Sequence, residues 1–272
     1  MMDWQERAGI WLKVEEFTDT AHAPVRAALM ERANLQPGQS VLDIGPGGGV
    51  TLLDAAEAVG QTGQVTGIDI APSFVERAAA RAPENVDVRT GDASVYAFES
   101  DSFDAAISLF GVMFFNDLES AFANIRTAIK PGCKLTFACW GPPPTNPWFA
   151  ISGSVATKVL GPGPAFDPDA PGPMALAEPD KINRVLSQAG WHVDVDTVDL
   201  FLTPQGSPSN VADLQFSVGG AAMRMVEADK AGRLTDDHKE AIRAGLTAEF
   251  AKCVTDGAVR VPARINFVQA VA

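Results

Sequence analysis

The feature that most constrains the fold is a glycine-rich turn between an apolar run and a helical pattern. Residues 41–44 form the apolar run, Gly45-Pro46-Gly47-Gly48-Gly49 follows at once, and residues 50–59 have the composition of a helix. Glycine tolerates positive φ and lets a ligand approach bare backbone, and a helix N-terminus presents free N–H groups. The segment therefore predicts a strand, a tight turn and a helix around a ligand site.

Three more strands are predicted after this turn, and each ends in residues suited to binding. Residues 64–70 include Asp69 near their end, residues 86–89 run into Gly91-Asp92-Ala93, and residues 104–109 run into Phe110-Gly111. Open α/β sheets bind ligands at the carboxyl ends of their strands. We therefore expect one binding crevice built from four strand ends.

The predicted elements alternate between strand and helix, which favours a doubly wound, mostly parallel sheet of class α/β. Seven strands are predicted, the last of them at residues 260–271 after a helical excursion. We expect a single domain over residues 1–272, and its additions are an N-terminal helical segment (1–35), a lid-like insertion (141–179) and a helical cap (208–256).

Several helix boundaries are predicted within these additions. The N-terminal segment is expected to be helical in two pieces that break near Pro24, and the cap in two helices, 209–231 and 235–252. The helix at residues 117–129 is expected to end in the turn Lys130-Pro131-Gly132, a cationic last turn followed by a helix stop.

Charge and composition exclude several classes of function. The chain has 21 basic and 34 acidic residues and a net charge of −13, which disfavours nucleic acid as a partner. No apolar run approaches the ~18 residues of a membrane span, and the charged N-terminus lacks a signal-peptide core. The three cysteines do not have metal-ligand spacing. We expect a cytoplasmic protein with no metal and no membrane insertion, either a monomer or a homodimer.

The glycine turn fits a cationic ligand better than a dinucleotide. A dinucleotide motif requires Gly-x-Gly-x-x-Gly, and here the third glycine is replaced by Val50. Asp43 lies two residues before Gly45, where a carboxylate would repel a pyrophosphate and attract a cation. A nucleoside with a positively charged amino-acid tail fits this pattern.

Two further carboxylates suit a nucleoside. Asp69 lies at the end of the second strand, where it can accept hydrogen bonds from both ribose hydroxyls. Asp92 can accept from an adenine amino group and the Ala93 N–H can donate to the ring, although Asp92 taken alone is better explained as a turn residue. Acids at three consecutive strand ends favour the joint interpretation.

The chain resembles the class I S-adenosylmethionine-dependent methyltransferases. The motifs that carry the resemblance are, in chain order, residues 41–49, 65–70, 90–93, 103–111 and 129–132. In the last of them Cys133 replaces the second glycine of the family's turn. The resemblance implies a Rossmann-like sheet of seven strands with the last one antiparallel.

The resemblance also implies roles for individual residues and a cofactor, S-adenosylmethionine, with S-adenosylhomocysteine as product. By this likeness, Asp43, Gly45 and Gly47 hold the methionine end. The remaining contacts are implied for Asp69 and Ile70 (ribose), Asp92 and Ala93 (adenine) and Leu109 (near the sulfonium).

The acceptor end is less specified by the sequence. The chain is most similar to the small-molecule branch that includes ubiquinone and menaquinone biosynthesis, which implies a small-molecule acceptor. Aromatic side chains suit a cationic methyl donor, and the candidates for this wall are Phe110, Phe114, Trp140 and Trp148. Core packing explains Phe110 and Phe114 about as well. His22 is a weak candidate for a catalytic base.

The predicted function is methyl transfer by in-line displacement to oxygen, nitrogen, carbon or sulfur of a small molecule. Because the cofactor carries the activated methyl group, the protein mainly supplies proximity and alignment. Two alternatives stay open: a nicotinamide-dependent oxidoreductase on a similar sheet, and a non-catalytic protein that binds S-adenosylmethionine.

Overall fold

The computed structural model of the protein describes residues 4–164 and 167–272, except for the side chain of Glu6. Its strands are β1 (Ser40–Ile44), β2 (Gln64–Asp69), β3 (Val86–Thr90), β4 (Phe103–Leu109), β5 (Ile129–Trp140), β6 (His192–Leu202), β7 (Val254–Thr255), β8 (Ala258–Val259) and β9 (Val261–Val271). Seven of them form one sheet in the order β3-β2-β1-β4-β5-β9-β6. The predicted seven-stranded sheet is therefore confirmed.

The pairing of the strands is parallel except at β9. Strands β1 to β5 pair in parallel with their neighbours, whereas β9 is inserted antiparallel between β5 and β6. The last strand is antiparallel, as the resemblance implies. β6 lies at the sheet edge, which agrees with its alternation of apolar and acidic residues.

Helices cover both faces of the sheet. They are α1 (Trp4–Trp11), α2 (Glu15–Ala21), α3 (Ala23–Ala33), α4 (Val50–Val59), α5 (Pro72–Arg81), α6 (Leu118–Ala128), α7 (Pro147–Leu160), α8 (Pro179–Gln188), α9 (Pro208–Val218), α10 (Gly220–Lys230) and α11 (Asp236–Ala251). Successive residues of β1 point to opposite faces: Val41 packs in a core with α4, and Leu42 packs in the larger core on the other face. A sheet buried on both faces explains why its central strands are nearly continuous apolar runs.

Four details differ from the sequence-based expectation. The N-terminal segment has three helices because the chain also breaks between Trp11 and Glu15. The predicted helix at 209–231 is two helices, because Gly219 adopts an extended backbone against the side chain of Gln215. β5 begins at Ile129, so that Lys130-Pro131-Gly132 extends the strand and does not close the preceding helix.

The fourth detail is an unpredicted hairpin between β7 and β8. Asp256 and Gly257 both have positive φ, 51° and 77°, which matches the twist that a two-residue turn requires. Among residues 4–164 and 167–272, no helix combines the length and apolar character that crossing a bilayer would need.

Candidate active site

The glycine turn after β1 lies against the end of β4. Gly45 has a φ of 67°, and a Cβ on Gly111 would lie 2.5 Å from the Ile44 carbonyl oxygen and 3.1 Å from the Gly45 Cα. Ser108 reinforces this contact by donating its hydroxyl to the Ile44 carbonyl over 2.7 Å. The ends of β1 and β4 are thus joined through backbone that only glycine permits.

Gly47 and Gly49 have different roles within the turn. Gly47 has a φ of 56°, and a Cβ there would face open space. At Gly49, which has a φ of 91° and precedes α4, a Cβ would lie only 2.9 Å from the Ala78 Cβ of α5. The turn therefore leaves an open face at Gly47 and fixes the helix start at Gly49.

Asp43 is a fully buried carboxylate that is only half satisfied. Its Oδ2 accepts a hydrogen bond from the Thr51 hydroxyl, while its Oδ1 has no partner among the described residues. Burial raises the pKa of Asp43 to about 7; the Thr51 hydrogen bond opposes this rise, and the charges of Asp69 and Asp54 add to it. A buried polar atom without a partner requires an explanation, and a cationic ligand would supply one.

Asp69, at the end of β2, is held by the backbone around it. Its Oδ2 accepts from the Gly47 N–H and its Oδ1 from the Ala71 N–H, both over 3.0 Å. Burial raises its pKa, and these backbone hydrogen bonds oppose the rise. Through the bond to Ala71, the residue before α5, Asp69 also supports the start of that helix, whereas the buried Ser73 hydroxyl has no hydrogen-bond partner among the described residues.

Ile70, Asp92 and Ala93 follow the next strand ends. Ile70 is 45% exposed, an unusual value for a large apolar side chain beside a buried aspartate. Asp92 Oδ1 accepts from both the N–H and the hydroxyl of Ser94, over 2.9 and 2.6 Å, which is the turn geometry that the sequence allowed for it. Ala93 is buried, and its carbonyl accepts from the Asn124 amide.

The chain after Leu109 adopts a strained turn. Phe110 has a φ of 62°, which is rare for a residue other than glycine, and its N–H donates to the Ala138 carbonyl over 3.1 Å. Its ring stacks in parallel on Trp140, with centroids 4.5 Å apart and planes 6° apart. Strain of this kind is frequent at functional sites.

His22 lies among three of the four aromatic candidates. It forms the junction between α2 and α3, and its ring centroid is 5.3 Å from Phe110, 5.7 Å from Trp140 and 6.0 Å from Trp148. Its Nε2 is buried and has no hydrogen-bond partner in the part of the chain that the structure describes, and burial lowers the pKa of the imidazole to about 4. We call His22, Phe110, Trp140 and Trp148 the aromatic cage.

Asn146 and helix α11 fix Trp148 in the cage. The buried Asn146 amide donates to the Gly141 carbonyl and accepts from the Arg264 N–H, both over 3.0 Å, and so ties the start of α7 to β9. Trp148 also packs edge-on against Phe250 of α11. The insertion and the cap thus meet at this residue.

The fourth aromatic candidate, Phe114, lies outside these contacts and packs edge-on against Trp4 of α1, with centroids 4.7 Å apart. The N-terminal helices also reach the glycine turn, where the Glu15 carboxylate lies against Gly48. Glu15 forms ion pairs with Arg77 and Arg81 of α5 over 2.8 and 2.9 Å. We call α1, α2 and the α2–α3 junction the N-terminal cover. Sequence patterns do not reveal this cover, because the ion pairs that hold it join residues far apart in the chain.

The structure therefore brings the predicted residues into two neighbouring groups that meet at Phe110. The strand-end group consists of Asp43, Gly45, Gly47, Asp69, Ile70, Asp92, Ala93 and Leu109. The aromatic cage combines Phe110 after β4 and Trp140 at the end of β5 with His22 of the α2–α3 junction and Trp148 of α7. Two surface grooves of about 560 and 620 Å³ flank α3, but their lining includes no residue of either group.

The strand-end group fits S-adenosylmethionine. The unpartnered Asp43 Oδ1 suits a cationic group, and Asp69 and the exposed Ile70 suit a nucleoside. A metal cofactor receives no such support: no cluster of three possible metal ligands occurs within residues 4–164 and 167–272.

Comparisons with known proteins agree with this geometry. Residues 41–132 match the family model described as a methyltransferase domain. The nocamycin O-methyltransferase of Saccharothrix syringae is 32% identical over 213 residues, 76% of this chain and 68% of that protein. The demethylmenaquinone methyltransferase of Staphylococcus epidermidis is 33% identical over 113 residues, 41% of this chain and 47% of its own.

A solved structure shares the fold. The YcgJ protein of Bacillus subtilis superposes with a TM-score of 0.60 at 18% identity, over 92% of this chain and 98% of that one. Together with the relatives above, this establishes the Rossmann-like fold and methyl transfer from S-adenosylmethionine. The chain belongs to the class I S-adenosylmethionine-dependent methyltransferase family.

Proposed function

We propose that this methyltransferase holds its cofactor across the strand-end group and methylates a small, largely apolar molecule beside the aromatic cage. The observation that carries the proposal is the pair of buried carboxylates, Asp43 and Asp69, at the ends of adjacent parallel strands. Asp43 has an unpartnered oxygen in a place where burial alone makes its charge costly. A cationic amino-acid tail would offset that cost.

Each residue of the group would contribute one contact. Asp43, Gly45 and Gly47 would hold the methionine end, and Asp69 would accept from the ribose hydroxyls. Ile70, with its exposed side chain, would contact the ribose beside Asp69. Asp92, whose Oδ1 is engaged by Ser94, would accept from the adenine amino group through its other oxygen, Oδ2. Ala93 and Leu109 would form the remaining walls.

The bound cofactor supplies an activated methyl group on a sulfonium. The protein's part is to align the acceptor with that group and to exclude water. Phe110, Trp140 and Trp148 provide apolar surface at the strand ends, and aromatic rings favour a neighbouring cation. Phe114, which Trp4 covers, would add to this apolar surface when α1 moves away from it.

Oxygen is the acceptor atom that we favour. The relative from Saccharothrix is named for transfer to oxygen. The net charge of −13 supports a small molecule over a nucleic acid. The free thiols of Cys133, Cys139 and Cys253 support a reducing compartment such as the cytoplasm, and we propose a monomer or a homodimer.

The test is calorimetric titration with S-adenosylhomocysteine and with NAD⁺, followed by transfer of a labelled methyl group to fractionated metabolites. We expect the protein to bind S-adenosylhomocysteine and not NAD⁺. Asp43→Asn should weaken this binding, whereas Asp87→Asn, an exposed control on β3, should leave it unchanged. Binding of NAD⁺ alone would identify an oxidoreductase. Cofactor binding without transfer to any acceptor would identify a binding protein.

A further inference from the structure

His22 is the one polar side chain of the aromatic cage, and it comes from a different element than each of its neighbours. It lies at the α2–α3 junction, Phe110 follows β4, Trp140 ends β5 and Trp148 begins α7. The Nε2 of His22 is buried and has no hydrogen-bond partner among the described residues. Buried polar atoms in folded proteins are normally paired, so that this nitrogen has an unused capacity for a ligand.

The cage offers this nitrogen no charged neighbour. Burial alone accounts for the lowered pKa of His22, and no carboxylate or cation contributes to it. The nearby charged groups of the same helices are engaged elsewhere: Arg26 pairs with Asp54, and Glu15 pairs with Arg77. The imidazole is therefore neutral at physiological pH and carries one nitrogen lone pair.

A neutral site of this kind selects the chemistry of the acceptor. An ammonium acceptor would exchange its hydration for aromatic faces alone, without a carboxylate, and its protonated nitrogen has no lone pair to accept the methyl group. A hydroxyl carries no charge, and its proton can be donated to Nε2 while its apolar body contacts the aromatic rings. Resting on the function proposed above, we propose that His22 is the catalytic base of this enzyme, and that the acceptor is a flat, apolar molecule with a phenol-like or enol hydroxyl.

The proposed step balances without a further reactant. The acceptor oxygen bonds to the methyl carbon as the carbon–sulfur bond breaks, and the bonding pair stays on sulfur, which becomes a neutral thioether. The hydroxyl proton passes to Nε2 of His22. Burial disfavours the resulting imidazolium, so that it returns the proton to solvent when the product leaves.

The acceptor reaches Nε2 only when the cage opens. Ring centroids 5.3–6.0 Å apart are in direct contact, so that no further ring fits between them. The α2–α3 junction belongs to the N-terminal cover that Glu15 ties to α5. Movement of this cover would admit the acceptor and bring its hydroxyl to His22.

The experiment uses the full chain with S-adenosylhomocysteine, 2-naphthol as hydroxyl probe and 2-methoxynaphthalene as its methylated counterpart. Nitrogen-15 NMR distinguishes His22 from His192 and His238, the other two histidines. We expect 2-naphthol to shift the Nε2 signal of His22 alone. We expect His22→Phe, which keeps the ring in the cage, to lose at least tenfold in affinity for 2-naphthol but not for 2-methoxynaphthalene.

The rate at which the labelled methyl group is transferred to each phenol distinguishes a catalytic base from a residue that only supports the structure. We expect His22→Phe to melt at or above the wild-type temperature, yet to lose at least 100-fold in kcat with 2-naphthol. The loss should be smaller with 4-nitrophenol, which is already ionised at pH 8 and requires no base. His22→Asn should behave like His22→Phe, and the exposed control His192→Asn like wild type.

Several results would overturn this proposal. They are equal losses with the two phenols, no shift of the His22 signal by 2-naphthol, and no transfer to either phenol by the wild-type enzyme. Normal binding of S-adenosylhomocysteine in these cases would leave the proposed function intact, whereas failure of the wild type to bind it would overturn that function instead.

Discussion

The backbone N–H of Gly47 donates to Oδ2 of Asp69 over 3.0 Å and so joins the turn after β1 to the end of β2. The same carboxylate accepts from Ala71 at the start of α5. Asp69 thereby holds two backbone segments in place while the Gly47 side of the turn stays open. In the function proposed above, the open side of the turn would let the ribose reach this carboxylate.

Replacement of Asp69 tests its role in nucleoside binding. We expect Asp69→Ala to weaken S-adenosylhomocysteine by about 1–3 kcal/mol, the scale of a hydrogen bond to a charged group, and Asp69→Asn to weaken it less because one oxygen remains. Isothermal titration measures both, with Asp87→Asn as control. An unchanged dissociation constant in Asp69→Ala would mean that the ribose is held elsewhere.

Two glycine substitutions test the close contact between β1 and β4. A Cβ on Gly111 meets the Ile44 carbonyl at 2.5 Å, so Gly111→Ala must move backbone and should destabilise the protein by about 2 kcal/mol or more. Gly153, on the exposed side of α7, meets nothing within 4 Å, and Gly153→Ala should stabilise by about 0.5–1 kcal/mol. Urea unfolding measures both, and equal effects would contradict the packing described.

Cofactor affinity should depend on pH through Asp43. Its pKa is raised to about 7 by burial, so that in the free protein the carboxyl becomes protonated as the pH falls below 7. A cationic ligand prefers the ionised form, and we therefore expect the affinity for S-adenosylhomocysteine to fall by up to about tenfold per pH unit between pH 7 and 5. Calorimetry across this range measures it. Asp43→Asn should flatten the profile, and an equally steep profile in that variant would exclude Asp43 as the cause.

The free energy of unfolding should depend on pH through both His22 and Asp43, and the two residues should act in opposite directions. The folded pKa of His22 is lowered to about 4, so that the unfolded chain binds more protons between pH 6.5 and 4 and acidification destabilises the fold. Asp43, with a raised folded pKa, contributes stability that is lost as the pH rises through about 7.

His22→Phe removes the first contribution and leaves the second. The variant should gain stability over wild type at pH 8, because no buried nitrogen is left unpaired. By pH 5 the gain should be larger by about 2 kcal/mol, from about 1.5 pH units at 1.36 kcal/mol each. Urea unfolding at both pH values checks this, and the same difference at pH 5 and pH 8 would show that His22 has an ordinary pKa.

The ion pairs of Glu15 should control the N-terminal cover. The Glu15 side chain is only 14% exposed and pairs with both Arg77 and Arg81. We expect Glu15→Gln to speed hydrogen exchange in α2 and to shorten the residence time of S-adenosylhomocysteine severalfold, at a cost of about 1 kcal/mol in stability. Asp213→Asn, which breaks the exposed pair with Arg243, is the control. No change in α2 exchange would mean that other contacts hold the cover.

The sequence predicted the parts of the fold that rest on local patterns. The strands and the glycine turn follow from apolar runs and from positions that tolerate only glycine, as at Gly45. The break at Gly219 was missed because it depends on the position of the Gln215 side chain. The start of β5 at Ile129 was missed because it depends on the pairing of Ile129 with Phe103 of β4, across an irregular register.

The parts of the candidate site that follow from local patterns could also be predicted from the sequence. Asp43 and Asp69 could be found because strand ends converge in a parallel sheet. The turn bonds of Asp92 were a recognised alternative. Sequence patterns could not show that His22 lies among Phe110, Trp140 and Trp148, since these contacts join residues 88 to 126 positions apart in the chain.

The most direct test of this account is a crystal structure of the protein with S-adenosylhomocysteine. We predict the ribose hydroxyls within hydrogen-bond distance of Asp69, the amino group near Asp43 Oδ1, and the sulfur facing the aromatic cage. A ligand bound instead in the grooves beside α3, with Asp43 and Asp69 pointing away from it, would contradict the account.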